Sequence, residues 1–158
     1  MSKGDIKPLC RFIEQKFLKV FSNRDYKWAN ELTVKTAFLT LLYNNALYIM
    51  DSEHETARSY TDLTMIIRPD MRRFKIFDIL IEFKFVNLKQ ADLTGEEAGE
   101  LSREGIEAIP EMQTKIKEAE NMLPRYGNAL EKKYDNLRLK KFAVVSPGFE
   151  KLWGKMVK

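Results

Sequence analysis

Between Lys75 and Val86 the chain carries a near-continuous apolar strand, and its far end holds two charges: Ile81-Glu82-Phe83-Lys84-Phe85. Side chains two apart on a strand point to the same side of a sheet, so Glu82 and Lys84 share one side. The other parity (Phe77, Ile79, Ile81, Phe83, Phe85) is wholly apolar and faces a core. Charges buried there without partners cost several kcal/mol, so they require each other, a metal ion or an anionic ligand. Twenty residues before Glu82, Asp62 centres another strand-like segment. With Asp62 on the neighbouring strand, the three side chains make an Asp/Glu/Lys cluster of the kind that metal-dependent phosphodiester chemistry uses.

The remaining elements frame that strand. Leu9, Phe12, Ile13, Phe17, Val20 and Phe21 recur at helical spacing, which predicts an amphipathic helix from about Pro8 to Phe21. Ser22-Asn23-Arg24-Asp25 reads as a break, and a second helix runs from Glu31 to about Tyr43 with Asn30 as its N-cap. Its apolar side is Val34, Phe38, Leu41 and Leu42. Leu47–Ser52 and Ser59–Ile67 read as strands, and Arg68-Pro69-Asp70-Met71 as a turn leading to the long strand. Residues 90–102 read as loop with short helical turns. A long helix follows from Pro110 to about Tyr134, where Pro124 predicts a kink or break near Met122. Leu139–Val145 is a final strand, paired parallel with an earlier one after the helical crossover. A Pro147-Gly148 turn and a tail with Phe149, Leu152 and Trp153 end the chain. Antiparallel meander connections join the first three strands.

Length and composition narrow the chemistry. Residues 1–158 suit one domain with a single sizeable core, at 44% hydrophobic and 32% charged residues. The single cysteine, Cys10, excludes an intrachain disulfide and a cysteine metal cluster. The single histidine, His54, excludes a multi-histidine metal site, and we assign it no role. No apolar run is long enough to span a bilayer and no signal peptide is apparent, so the expected location is cytoplasmic, without a membrane partner. A net charge of +4 is compatible with nucleic acid, though Arg72-Arg73, Lys132-Lys133 and Lys140-Lys141 also read as ordinary solvated pairs.

Phosphodiester cleavage needs an activated water, neutralised phosphoryl oxygens and help for the leaving oxygen. Magnesium or manganese serves these needs and prefers carboxylate, carbonyl and water ligands. Asp62 and Glu82 offer the carboxylates, the Phe83 carbonyl offers a third oxygen, and Lys84 can orient water or stabilise developing charge. Glu31, where its helix abuts the sheet, can bind a second metal or a water on the metal. Each residue also has a plainer reading. Glu82 and Lys84 fit a salt bridge at a sheet rim, Asp62 a turn carboxylate, and Glu31 a first-turn glutamate favoured by the helix dipole. Gln113 fits a solvent-facing helix position, and Glu53 and Glu55 exposed loop acids.

As an ordered set these residues are more specific. An early helical glutamate, a strand aspartate, Glu-x-Lys on the next strand and a helix bearing Gln113 together resemble the PD-(D/E)XK nuclease superfamily. Its restriction endonuclease-like core is a helix, a three-stranded meander, a helix and a further strand. The resemblance therefore implies an α/β (α+β) fold with a mixed sheet of about four to five strands flanked by helices.

A closer likeness lies in Gly4-Asp5-Ile6-Lys7-Pro8, Ser22-Asn23-Arg24-Asp25, Asn30-Glu31, Ser52-Glu53, Tyr60-Thr61-Asp62-Leu63 and Leu80-Ile81-Glu82-Phe83-Lys84. It continues through Gln113-Thr114-Lys115-Ile116, Arg125-Tyr126 and Phe142-Ala143-Val144-Val145. Over nearly the whole chain this resembles the nuclease-like domain found after an AAA-ATPase-like domain in bacterial and archaeal proteins. The likeness implies Asp62 and Glu82 as metal ligands and Lys84 as the catalytic lysine. It further implies Glu31 as an accessory acid and Gln113 as a positioning or substrate-contacting residue, with Tyr126 a weaker candidate. Two departures stand out. Thr61-Asp62 replaces the Pro-Asp of the superfamily's name, and no Gly-x-x-x-x-Gly-Lys-Ser/Thr loop occurs. The expectation is thus a stand-alone homologue or a piece of a longer protein.

The sequence accordingly predicts a Mg2+- or Mn2+-dependent nuclease domain acting on nucleic acid, DNA ahead of RNA, with an AAA-ATPase as a candidate partner. One alternative is a catalytically silent nucleic-acid-binding module that keeps the fold and contacts phosphates in a salt-sensitive way. Another is a regulatory domain for an ATPase partner.

Overall fold

The computed structural model describes residues 4–20, 30–52, 54–56 and 59–158. The predicted break at 22–25 lies outside the described residues, as do Glu53 and all side chains of 53–61. In chain order the elements are α1 (Lys7–Phe12), α2 (Glu31–Leu42), β1 (Tyr48–Asp51), β2 (His54–Thr56), β3 (Ser59–Thr61), β4 (Leu63–Ile67) and β5 (Asp78–Val86). Then come α3 (Gly95–Glu100), α4 (Arg103–Glu107), α5 (Pro110–Lys133), β6 (Leu139–Pro147) and β7 (Trp153–Val157). A mixed five-stranded sheet in the order β1-β4-β5-β6-β7 forms the centre, matching the expected size.

The sheet is buried on both faces, which explains why its central strands read as continuous apolar runs. On one face Ile79, Ile81 and Phe83 of β5 and Phe142 and Val144 of β6 meet Ile6, Cys10 and Ile13 from the first helical segment and Val34, Ala37 and Phe38 of α2. On the other, Leu80, Val86, Ala143 and Val145 meet Met112, Ala119, Leu123, Tyr126 and Leu130 of α5. The crossover through α5 makes β5 and β6 parallel, as expected, with Glu82 opposite Ala143 and Lys84 opposite Val145.

Four differences from the sequence reading have physical reasons. The first helix continues from Lys7 to Val20 but changes pitch, widening over Ile13–Phe17 and tightening over Leu18–Val20. α5 runs through Pro124 without the predicted break. An interior proline costs about 3 kcal/mol, and the buried apolar stripe on both sides of it outweighs that cost, at about 1.5–3 kcal/mol per large side chain. The predicted 59–67 strand is two strands, β3 and β4, divided at Asp62. Finally, the predicted tail contains an antiparallel edge strand, β7, on β6. Gly154 permits it: a Cβ there would stand 2.6 Å from the Cys10 sulfur and 3.0 Å from Ile6 Cγ2.

The start of β5 is pinned by Asp78, which is fully buried. One oxygen accepts from the Ile67 N–H at 2.8 Å and Arg72 Nη2 at 2.9 Å. The other accepts from Arg72 Nη1 at 2.7 Å and the Arg138 N–H at 2.8 Å. The carboxylate thus ties together the end of β4, the start of β5 and the residue before β6. Removing one partner of such a buried pair strands the other charge and costs about 3–5 kcal/mol. Asp78→Ala should therefore lower stability by about that much in denaturant unfolding; a midpoint equal to wild type would contradict this role.

Candidate active site

The site forms where β4 leaves β5. Their antiparallel pairing runs from Met65 opposite Ile79 to Leu63 opposite Ile81. Beyond it, β1 and β4 continue as the separate ladder β2–β3 with their mutual register unchanged, from Asp51 opposite Thr64 to His54 opposite Thr61. Asp62 occupies the bend. β5 runs on to Val86, so Phe83 has no partner residue on β4. The Asp62 carboxylate supplies one, its Oδ2 accepting the Phe83 N–H at 2.7 Å. N–H and C=O of one strand residue face the same edge, so the Phe83 carbonyl opens toward Asp62 as well. Lys84 Nζ donates to that carbonyl at 3.0 Å and to Glu82 Oε1 at 2.7 Å.

Helix α2 brings its first turn to the same place. The Asn30 side chain caps it by accepting the Thr33 N–H at 3.1 Å, as predicted. Glu31, Lys35 and Phe38 follow at i, i+4 and i+7, hence on one side of the helix. Phe38 packs edge-on against the Phe83 ring, centroids 5.0 Å apart, fixing α2 against the strand that carries the site. Lys35 is only 6% exposed, and its Nζ lies 3.8 Å from Asp62 Oδ1. The structure therefore brings Glu31, Asp62, Glu82 and Lys84 together and adds Lys35, which sequence reasoning missed. Its signal was a lysine between Val34 and Phe38 on the apolar stripe.

Gln113 is placed differently. It is exposed in the first turn of α5, while Lys115, two residues on, is the α5 residue whose charge acts on Glu31. Tyr126, the weaker candidate, is a core residue; at 1.5 Å rise per residue it sits roughly 20 Å along the helix from Gln113. A cleft of about 380 Å3 lined by Ile49, Ile66, Ile67, Pro69, Arg72 and Tyr134 adjoins the Asp78 end of the sheet, away from this cluster.

Burial and crowding set the protonation of the acids. Glu82 is 1% exposed. Burial, then the Asp62 charge, push its carboxyl up to about 7, against the opposing Lys84 ammonium. Glu31 is also raised, by burial and by Asp62, with Lys84, Lys35 and Lys115 opposing. Burial depresses Lys84, but the bond to Glu82 and the charges of Glu82, Glu31 and Asp62 outweigh it and leave Lys84 raised. Glu82 Oε2 is buried and, among the described residues, has no hydrogen-bond partner. A bare buried carboxylate oxygen costs a few kcal/mol and is the donor a hard cation seeks.

The donor set fits a divalent cation of the Mg2+ or Mn2+ type: two carboxylates and the Phe83 carbonyl, all oxygen. Among the described residues no three acid, histidine or cysteine side chains form a complete ligand set, so water or substrate oxygens would fill the remaining positions. Because the Asp62 charge is the second cause of the Glu82 shift, Asp62→Asn should bring the Glu82 titration down from about 7 toward the ordinary 4.5. Carboxyl 13C chemical shifts of the metal-free protein measure this. An unchanged Glu82 midpoint would mean that the two carboxylates do not face each other.

Residues 29–152 match the family model described as the PD-(D/E)XK nuclease superfamily. No curated protein and no solved structure matches the chain. The family match spans the Asp62 bend, the Glu82 strand β5, the crossover helix and β6. With the mixed five-stranded sheet between helices, the fold is of the restriction endonuclease-like kind, and the chain belongs to the PD-(D/E)XK nuclease superfamily.

Proposed function

We propose that this chain is a Mg2+- or Mn2+-dependent nuclease that hydrolyses phosphodiester bonds of nucleic acid, DNA ahead of RNA. The observation that carries the reading is the Glu82 carboxylate, buried beside Asp62 with one oxygen on Lys84 and the other bare. A purely structural salt bridge would satisfy both oxygens. In this reading Asp62, Glu82 and the Phe83 carbonyl hold the divalent ion. When bound, such an ion would polarise the phosphoryl group and lower the pKa of a bound water.

The protein's own groups do the rest. Lys84, already donating to both Glu82 and the Phe83 carbonyl, is the ammonium that orients the attacking water or neutralises charge on the phosphoryl oxygens. Glu31, whose carboxyl burial raises, is suited to accept a proton at the α2 end. Gln113, exposed near the start of α5, is assigned the positioning or substrate-contacting role that the family resemblance implies. Ammonium groups around the carboxylates address the phosphate backbone rather than base edges, so sequence specificity is weak in this proposal. Likeness to domains that follow an AAA-ATPase-like domain adds an ATPase, in the same chain or another, as a partner. Among the described residues no helix is long and apolar enough to cross a membrane; the location proposed from the sequence is cytoplasmic.

Plasmid cleavage by the purified chain with Mn2+ or Mg2+ tests the reading. Asp62→Ala, Glu82→Ala and Lys84→Ala should each lose activity by about 10²-fold or more, and Lys84→Ala alone should keep divalent-ion binding. Equal cleavage by all variants would attribute the activity to a contaminant. Salt-dependent DNA binding without cleavage would favour the silent module instead.

The metal itself has a pH signature. With Glu82 raised from 4.5 to about 7, the native metal-free state holds a proton through that window, so this group lowers stability as pH rises. The Lys84 shift has the same sense, but its contribution is fully present below the unfolded lysine value and is therefore constant in this window. A divalent ion competes with the Glu82 proton. Millimolar Mn2+ should therefore raise Tm more at pH about 8 than at about 6, and a shift independent of pH would remove Glu82 from the ligand set.

A further inference from the structure

Lys35 is the residue that the proposed chemistry leaves unexplained. Lysine rarely lies this deep, because its long stem usually carries the ammonium to water. Here the residue is 6% exposed and the ammonium faces inward, 3.8 Å from Asp62 Oδ1. It stands one helical turn from Glu31, on the side of Asp62 away from the oxygen that caps Phe83. Glu31, in turn, feels the charges of both Asp62 and Lys35. With one ion on the Asp62–Glu82 pair, Asp62 Oδ1 and Glu31 are the carboxylate groups of this cluster that a second divalent ion would have to draw on.

We propose that Lys35 is a built-in cation holding that second position, so that the site takes one divalent ion and not two. The inference rests on the metal-dependent reading above and sharpens it.

Charge balance supports the assignment. Glu31, Asp62 and Glu82 supply three negative charges when ionised, and Lys35 and Lys84 supply two positive ones. Lys115 also acts on Glu31, but it is paired with Glu118 at 2.7 Å and that pair adds no net charge. Among the described residues the cluster is thus one charge negative. One divalent ion makes it one charge positive, which a single phosphodiester neutralises. Two ions would leave a surplus of two positive charges after substrate bound, inside a site whose side chains are mostly buried. Such a surplus is strongly unfavourable at low dielectric. Lysine also suits the place chemically: it is a compact point charge that neutralises a carboxylate without demanding planar, bidentate geometry.

Mn2+ stoichiometry of the whole purified chain, followed by the electron paramagnetic resonance signal of free Mn2+, tests the proposal without reference to turnover. One tight ion per wild-type chain is expected. Lys35→Met keeps the apolar stem while removing the charge, and it should bind two; Lys35→Ala should do the same. Lys35→Arg, which keeps the charge, should remain at one. Two tight ions in the wild type would overturn the role of Lys35 and leave the metal-dependent reading standing. Uptake of one ion by folded Lys35→Met and Lys35→Ala would equally overturn it. No Mn2+ uptake by the wild type would instead bring down the metal-dependent reading and this inference with it. Should both charge-removing variants fail to fold, the wild-type stoichiometry still decides, since a count of two refutes the proposal and a count of one sustains it.

Discussion

The bond from the Phe83 N–H to Asp62 is the interaction on which the site depends. β5 outlasts its antiparallel neighbour, and a sheet cannot leave a central backbone donor unpaired without a penalty of about 1–3 kcal/mol. Asp62 fills the vacancy at 2.7 Å from the bend where β4 parts from β3. The same act delivers a carboxylate to the end of a buried strand, beside the Phe83 carbonyl that faces the same gap. Structural need and chemical placement are here a single hydrogen bond, so losing Asp62 would remove both a ligand and the closure of the strand edge.

Phe83 transmits this arrangement to the helix. Its backbone receives Asp62 and Lys84, while its ring receives Phe38. The position of α2, and with it Glu31 and Lys35, is therefore referenced to the same residue that fixes the acidic pair. Three acids and two ammonium groups are assembled around one aromatic residue whose other face is core. That coupling accounts for a raised Glu82 and a raised Lys84 in contact with each other. Burial and Asp62 act on the acid, and the surrounding acids act on the lysine.

Much of this was legible in the sequence, and what was not has definite causes. The apolar run with Glu82 and Lys84 identified the central strand, because no other element tolerates that parity. Asn30 was readable as a cap because its chemistry is local. The bend at Asp62 was legible only as an alternative, a strand-end or turn carboxylate, since the residues around it favour strand and only the end of the β4–β5 pairing fixes the break. β7 escaped because its buried face is set by Gly154 against Cys10, a tertiary contact with no pattern along the chain. Pro124 misled because local cost was weighed without the buried stripe around it. Lys35 and Asp78 went unread for a shared reason: each is a charge inside an apolar pattern, and only the partners across the fold explain it.

Asp78 and Glu82 show how structure separates a supporting charge from a reactive one. They lie four residues apart on one strand, share its parity, and are 0% and 1% exposed. Sequence and burial treat them alike. Asp78 accepts four hydrogen bonds, two on each oxygen, from two backbone amides and a bidentate arginine. Its capacity is filled, and adding a cation would require breaking what holds three strands. Glu82 accepts one bond from a flexible ammonium and, among the described residues, its other oxygen has no partner. Only the unsatisfied acid can gain from a ligand, because for the satisfied one any new bond replaces an existing one. The function of β5 is therefore assigned to its Glu82 end by hydrogen-bond capacity.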